Sequence, residues 1–199
     1  MTVTKPYEEG HLYSTLEYGA PYVSKGLKFA RYIIPSILNK VKKVLCIGCG
    51  NGFEVVEYLR AGFNAYGTEM RKIGDVPILK DRIIHALVPD LPFKDKAFDF
   101  VACTEVLEHV STEETSAFLA ECFRVGKSAM FSIATRDDPP WHTHCNIQTP
   151  QWWLDEMEKH KVEVLSFQFC PIVDLQIESD ITYRCRYGDG VTFYVNCRV

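Results

Sequence analysis

Long apolar runs are missing from this sequence of 199 residues, in which no stretch approaches 18 consecutive apolar residues. A membrane-spanning helix requires a run of about that length, so no membrane partner is expected. The first residues, MTVTKPYEEGHLYS, also lack the apolar core of a signal peptide. The sequence therefore predicts a cytoplasmic protein.

A large excess of charge is missing too, because 22 Lys and Arg stand against 26 Asp and Glu, a formal net charge of −4. Without a broad basic surface, a nucleic-acid partner is not expected. The chain has no internal repeat and no low-complexity tract. Its length suits one domain, so we expect residues 1–199 to form a single domain in which residues 1–40 are an N-terminal helical cap.

Cysteine is plentiful, with eight residues, but its spacing has little of a metal-site pattern. Cys46 and Cys49 form one C-x-x-C, and no second such pair is present to complete a zinc site. The pair lies inside an apolar run that leads into a glycine turn. We therefore predict reduced thiols with neither a redox nor a metal role.

Short apolar runs alternate with segments of helical period. Seven runs predict strands: KKVLCIG, FNAYGTEM, DRIIHALV, AFDFVACTEV, SAMFSIAT, VEVLSFQF and VTFYVNC. Helices are predicted at GFEVVEYLRAG, at STEETSAFLAECFRVG behind a Ser111–Glu114 capping box, at TPQWWLDEMEKH, and over 21–40 with a break at Pro35. This order predicts an α/β fold: a doubly wound, mostly parallel sheet with helices on both faces and an antiparallel edge strand.

Three glycines stand at alternate positions directly after the first predicted strand, in VLCIGCGNGFEVV. Glycine lets the backbone adopt positive φ and approach a ligand closely, and helix-terminal N–H groups can hold a polar group. A dinucleotide site needs G-x-G-x-x-G/A, but the third small position here is the bulky Phe53. Glu69, about twenty residues on, suits a ribose diol. The pattern favours a nucleoside cradle without a pyrophosphate clamp.

The motifs VLCIGCGNG, GTEM, DLPFKDKAFDFVACTEVLEHV and RVGKSAMFSIAT together resemble those of class I S-adenosylmethionine-dependent methyltransferases of the small-molecule type, over about residues 41–170. This resemblance implies S-adenosylmethionine as cofactor and S-adenosylhomocysteine as product. It also implies the cofactor-binding residues: Gly48, Gly50 and Gly52 at the methionine and ribose, Glu69 and Met70 at the ribose and adenine, Leu87 and Val88 at the adenine, and Thr104 and Glu105 closing the pocket.

Two positions depart from the pattern of that family, which usually has an acidic residue where this chain has Cys46 and commonly an Asp where it has Leu87. Both changes are expected to weaken cofactor affinity unless substitutes come from the N-terminal segment. Neither change removes the predicted cradle.

The acceptor side is predicted from two segments. The loop DDPPWHTHCNIQTPQWW, residues 137–153, holds His142 and His144 among three tryptophans whose flat faces suit a sugar or aromatic acceptor. An imidazole accepts a proton near pH 7, which makes His144, His142 and His109 the candidate catalytic residues. An equally weighted alternative is that His142 or His144 only forms hydrogen bonds with the backbone of a long loop.

The segment TEVLEHV has an E-x-x-E-H spacing, and the resemblance extends to ubiquinone-type O-methyltransferases in which a similar motif binds a divalent ion. Because VLEH is widespread in the superfamily, we expect no metal here. The predicted function is methyl transfer to an oxygen or nitrogen of a small molecule or glycan. A non-catalytic S-adenosylmethionine-binding sensor or regulatory subunit is the alternative.

Overall fold

The computed structural model of the protein describes residues 25–70, 77–135, 143–169, 174–177, 181–184 and 192–199. Within these ranges no helix is both long enough and apolar enough to cross a membrane.

The described strands form one seven-stranded sheet and one two-stranded ribbon. Their bounds are Lys43–Ile47 (β1), Asn64–Glu69 (β2), Ile83–His85 (β3), Phe100–Thr104 (β4), Ser128–Ala134 (β5), Glu163–Phe169 (β6), Asp174–Ile177 (β7), Ile181–Arg184 (β8) and Thr192–Arg198 (β9). The large sheet has the order β3-β2-β1-β4-β5-β9-β6, and β7 pairs with β8. Strands β1 to β5 are parallel to one another, whereas β9 is antiparallel to both β5 and β6.

In the described part of the chain, four α-helices cover the two faces of the sheet: Lys25–Ile37 (α1), Phe53–Arg60 (α2), Thr112–Val125 (α3) and Pro150–Glu158 (α4). Alternate residues of β1 point to opposite faces, as the period of a strand requires. Val44 and Cys46 pack in the core with α1 and α2, whereas Leu45 and Ile47 pack in the core with α3 and α4. The first strand is therefore buried on both faces, which explains its continuous apolar sequence.

The predicted fold class is confirmed, and the antiparallel strand β9 lies one place inside the edge of the sheet. The predicted break at Pro35 is wrong, because Pro35 lies inside α1. Pro35 lies in the last turn of α1, so its missing N–H costs the helix only one backbone hydrogen bond, near its end. The β7–β8 ribbon was missed, although the sequence DLQIESDITYR holds two alternating runs separated by three polar residues.

The start of α3 was predicted correctly, but the Ser111 hydroxyl donates to the Glu114 carboxylate at 3.0 Å instead of capping a backbone N–H. By contrast, α4 begins as its sequence indicates. Thr149 is its N-cap and accepts from the Trp152 N–H, and Pro150 occupies the first turn.

Candidate functional site

The strand order reverses between β1 and β4. After β1 the chain continues outward to β2 and β3 on one side, and then crosses to β4 on the other side of β1. In open α/β sheets the carboxyl ends of strands at such a switch point form the crevice in which ligands bind. A cleft of about 570 Å³, partly open to solvent, lies at this point.

The glycine turn between β1 and α2 adopts backbone conformations that other residues avoid. Gly48, Gly50 and Gly52 have φ angles of 66°, 53° and 78°, in the left-handed region that glycine enters without steric cost. A Cβ added to Gly48 would lie 2.5 Å from Cγ2 of Val106. The turn is therefore packed directly against the loop that follows β4, which explains the need for glycine.

Glu69 ends β2 beside this turn. Its carboxylate accepts a hydrogen bond of 2.9 Å from the Gly50 N–H, which holds the acid against the turn. The side chain is buried and lines the cleft. A carboxylate in this position can accept hydrogen bonds from a pair of ribose hydroxyls.

Most of the residues predicted from the sequence to bind the cofactor line the cleft: Gly48, Glu69, Met70, Leu87, Val88 and Glu105. The other three, Gly50, Gly52 and Thr104, are not among the described residues that line it. Residues that the sequence reasoning missed complete the walls: Ile47, Thr68, Ala86, Val106 and Phe118. Four of these five residues are adjacent in sequence to predicted site residues, so their place in the cleft could have been inferred from that adjacency. The fifth, Phe118, faces the cleft from α3, and no sequence signal indicated it.

The wall formed by residues 86–88 is apolar, and Leu87 is 51% exposed. An exposed leucine on a cleft wall offers a flat apolar contact to a planar ring, but no hydrogen bond. At the position where the resemblance places an Asp, this chain thus has a leucine, which offers an apolar contact instead of a hydrogen bond.

Glu105 follows β4 with a φ of 55°, which is unusual for a residue other than glycine. Its N–H donates to the Ser132 carbonyl at 2.8 Å, and its carboxylate accepts from the Ser132 hydroxyl at 2.6 Å. Strained backbone of this kind is concentrated at functional sites. Here β5 holds the strained residue at the edge of the cleft.

His109 borders the cleft at the end of a short 3₁₀ helix, Leu107–His109. Its Nδ1 lies 3.0 Å from the Thr143 carbonyl oxygen. Because a carbonyl only accepts, Nδ1 carries the proton, and Nε2 is the nitrogen that accepts protons. The ring of His144 lies edge-on to that of His109, with 4.8 Å between their centroids. The predicted histidines 109 and 144 are therefore neighbours, and His142 lies outside the described residues.

The segment that carries His144 is anchored by its backbone. The carbonyl of Glu108 accepts from the N–H groups of Cys145 and Asn146 at 2.9 and 3.0 Å. The buried Asn146 side chain donates to the Thr115 hydroxyl at 2.9 Å. The first described part of the acceptor loop is therefore fixed against the 3₁₀ helix and α3.

The side chains of Glu108, His109 and His144 offer ligand atoms that all lie within 4.8 Å of one another. This spacing would suit a divalent cation, and imidazole and carboxylate are ordinary ligands for such ions. Glu105 does not belong to this group, so the cluster differs from the E-x-x-E-H set considered from the sequence.

The expectation that the tryptophans form a stacking surface is wrong for Trp153, which is fully buried in the core between α4 and the sheet. Trp152 packs against it, with 4.9 Å between ring centroids. Trp141 lies outside the described residues. These two adjacent tryptophans of α4 contribute to core packing. Residue type alone does not show whether a tryptophan packs in the core or stacks on a ligand.

Glu54, in the first turn of α2, is a buried carboxylate that the sequence reasoning also missed. It is 3% exposed, and it accepts from the Thr104 hydroxyl at 3.5 Å. Burial raises the pKa of Glu54 to about 8. Glu54 and Tyr58 are four residues apart and therefore lie on the same side of the helix. This spacing from an aromatic residue was the sequence signal that Glu54 is buried.

Burial also raises the pKa of the thiols of Cys46 and Cys49, and nearby carboxylates add to the effect. Both cysteines are buried and free. Neutral thiols are poor nucleophiles and poor metal ligands. Neither thiol is therefore activated as a nucleophile by its surroundings, and the absence of a redox or metal role stays a prediction.

Comparison with known proteins bears directly on this cleft. Residues 45–130 match a family described as a methyltransferase domain. A ubiquinone biosynthesis O-methyltransferase of Photorhabdus laumondii is 30% identical over 114 residues, which are 50% of this chain and 46% of that protein. The chain thus spans about half the length of this curated relative.

Solved structures share the fold. The 1,6-didemethyltoxoflavin-N1-methyltransferase of Burkholderia thailandensis, with bound S-adenosylhomocysteine, has a TM-score of 0.66 and 14% identity, over 87% of this chain and 78% of that one. A protein of Pyrococcus horikoshii has a TM-score of 0.65 and 13% identity, over 94% of this chain and 99% of that one. The resemblance predicted from the motifs is confirmed, and so is the cofactor expected from it, S-adenosylmethionine.

Proposed function

We propose that this chain, which has the fold and the domain signature of the class I S-adenosylmethionine-dependent methyltransferases, transfers a methyl group to an oxygen or nitrogen of a small molecule or sugar. The observation that carries the proposal is that His109 borders the same cleft as Glu69. A carboxylate suited to a nucleoside and a base suited to an acceptor thus share one cavity.

The cofactor end of the site is proposed to consist of the glycine turn, Glu69 and the apolar wall at Leu87. The turn leaves room for a ligand near its backbone, and the buried carboxylate suits a ribose diol. When bound, S-adenosylmethionine supplies an electrophilic methyl group on a sulfonium centre. The protein contributes proximity and orientation, which are the main requirements of an in-line displacement.

At the acceptor end, His109 is proposed as the base. The Thr143 carbonyl fixes the proton on Nδ1, so Nε2 can take the proton that a hydroxyl or amine loses as its new bond to carbon forms. His144 packs on this ring and is proposed to hold its orientation. His142, predicted as the weaker partner of His144, stays a candidate within the same loop.

The test is release of S-adenosylhomocysteine across a panel of sugars, phenols and amines. With an accepted substrate, His109→Gln is expected to lower turnover by about 10²–10⁴-fold, the usual contribution of general acid–base catalysis. His144→Gln is expected to lower turnover less, and to leave S-adenosylmethionine affinity within a few-fold.

His160→Gln is the matched control, because His160 contacts Ser116 and Phe123 on the α3–α4 side of the sheet. This variant is expected to keep full turnover. Full activity in both His109→Gln and His144→Gln would place the base elsewhere. If the wild-type protein releases no S-adenosylhomocysteine with sugars, phenols or amines, the result would favour the non-catalytic, S-adenosylmethionine-binding alternative.

A further inference from the structure

Glu54 occupies a central position in the site architecture although it does not line the cleft. It is the second residue of α2, directly after the glycine turn, and it reaches Thr104 at the carboxyl end of β4. The carboxylate therefore lies between the turn and the end of β4, where the strand order reverses. On the assignment proposed above, this is the methionyl end of the cofactor site, because the ribose and adenine contacts lie toward Glu69 and Leu87.

The surroundings of Glu54 hold no cation among the described residues. Its one hydrogen bond in that part of the chain is the long contact with the Thr104 hydroxyl, 3.5 Å. The titratable groups that face it are the thiols of Cys46, Cys49 and Cys103 and the phenol of Tyr58, from β1, the turn, β4 and α2. All are buried and neutral at physiological pH, since burial is the main cause that raises their pKa values. The second cause is a nearby carboxylate for Cys46, Cys49 and Tyr58, and the hydrogen bond with Cys122 for Cys103.

A buried carboxylate without a cation is costly to ionise. The N-terminus of α2 offsets part of that cost, by an amount too small to cancel it. The Tyr58 hydroxyl, four residues along the same helix, is also buried and has no hydrogen-bond partner among the described residues. Glu54 is therefore a carboxyl that a nearby cation would ionise, and none of the described residues supplies that cation.

We propose that Glu54 is the anionic partner of the positively charged methionyl end of S-adenosylmethionine, and a positioning residue for the methyl group. This inference rests on the proposed function. The ammonium and sulfonium groups of the cofactor both belong to that end and outweigh its single carboxylate, so the Glu54 carboxylate near the turn favours the ammonium electrostatically. Glu54 lies next to Cys46, where the resemblance places an acid. The chain thus supplies from α2 the carboxylate that β1 lacks.

Proton linkage makes the proposal measurable. In the free protein Glu54 is mostly protonated at pH 6, and a bound cation favours its ionised form, so binding expels a proton. Affinity for a cationic ligand should then rise with pH towards 8. A ligand without the amino-acid end should show no such rise.

The experiment uses two probes and calorimetry at pH 6.0 and pH 7.5, a range in which the ammonium of an amino acid stays protonated. S-adenosylhomocysteine has the amino-acid end, and 5′-methylthioadenosine lacks it. For the wild-type protein, affinity for S-adenosylhomocysteine is expected to rise about tenfold or more across this range, with proton release visible in buffers of different ionisation enthalpy. Affinity for 5′-methylthioadenosine is expected to stay constant.

Glu54→Gln is expected to bind S-adenosylhomocysteine about 10- to 100-fold more weakly at pH 7.5 and to lose the pH dependence, while binding 5′-methylthioadenosine normally. Normal binding of the second probe also shows that the variant is folded. Glu57→Gln is the control, because Glu57 lies in the same helix but pairs with Arg31 at 2.9 Å. It should behave as the wild type with both probes.

Two outcomes are distinct. If wild type binds S-adenosylhomocysteine and Glu54→Gln binds it equally well with the same pH dependence, this inference is overturned and the proposed function stands. If wild type binds neither probe, the proposed function fails, and the inference fails with it.

Discussion

The hydrogen bond between the Glu69 carboxylate and the Gly50 N–H is the residue-scale feature on which cofactor recognition depends in our proposal. It holds an acid at the carboxyl end of β2 against the glycine turn. Such pre-organisation reduces the entropy lost on binding. The carboxylate has two oxygens with about four lone-pair sites, so it can accept from ribose hydroxyls while it keeps the bond from Gly50.

Glu69→Ala is expected to weaken S-adenosylhomocysteine binding by about 1–3 kcal/mol, the usual cost of losing a charged hydrogen-bond partner. Calorimetry measures this change. Glu163→Ala is the control, since Glu163 forms an exposed ion pair with Arg198 at 2.9 Å on a distant strand. Unchanged affinity in Glu69→Ala would contradict the ribose assignment.

At the residue scale, prediction from the sequence located residues whose position is decided by backbone chemistry. The alternate glycines form the turn that follows β1, and the predicted acid, Glu69, is the last residue of β2. Gly48 and Glu69 both line the cleft. It failed where tertiary packing decides. Trp153 was expected to stack on a ligand and is a core residue, and Glu54 was not considered although it is buried.

At the scale of one element, α2 carries a destabilising group near its start. Burial raises the pKa of Glu54 from 4.5 to about 8. The folded state therefore holds this proton more tightly than the unfolded state does. Below pH 4.5 the carboxyl is protonated in both states, and its contribution to the free energy of unfolding becomes increasingly unfavourable as pH rises towards 8.

Glu54→Gln is expected to stabilise the ligand-free protein at pH 8, by on the order of 1–3 kcal/mol, with no gain at pH 4.5. Each kcal/mol corresponds to about 2–4 °C in the unfolding midpoint of a chain of this size. Thermal unfolding at the two pH values measures it. A variant more stable yet weaker in binding would show that stability is sacrificed for function at this position.

Glu57→Gln is expected to have the opposite sign, because it removes ion pairs with Arg31 and Arg60 at 2.9 and 3.0 Å. A destabilised or unchanged Glu54→Gln at pH 8 would contradict the assigned cost of burying that carboxylate.

Element boundaries followed from the sequence where a run is buried on both faces or ends at a clear signal. The strand β1 and the helix α4, with its Thr149 cap and Pro150, are examples. The ribbon of β7 and β8 was missed because its strands are four residues each. Runs that short hold too few alternations to stand out from a loop.

At the scale of the whole molecule, the strand order brings the loops after β4 and β5 to one side of the cleft, and so sets Glu108, His109 and His144 together. The order of helices and strands predicted this arrangement in outline. The distances within the cluster depend on the 3₁₀ helix and on the anchoring of Asn146, neither of which the sequence pattern indicated.

We expect turnover to be unaffected by a chelator such as EDTA, and unaffected by added Mg²⁺. A histidine that accepts the acceptor's proton cannot at the same time give that lone pair to an ion. Activity assays with chelator and with metal measure this directly. Loss of turnover with EDTA and recovery with Mg²⁺ would assign the cluster to a metal ion and remove His109 from the role of base.

The position of β9 has a consequence for how the chain is made. It follows both β5 and β6 in sequence and pairs with both of them, between which it lies in the sheet. As the nascent chain leaves the ribosome, the outer edge of β5 therefore has no native strand partner until residues 192–198 emerge. Exposed strand edges template intermolecular pairing, and pairing across long sequence separations is slow. The time between the emergence of β5 and the emergence of β9 is thus the interval in which this edge of the sheet is exposed to intermolecular pairing.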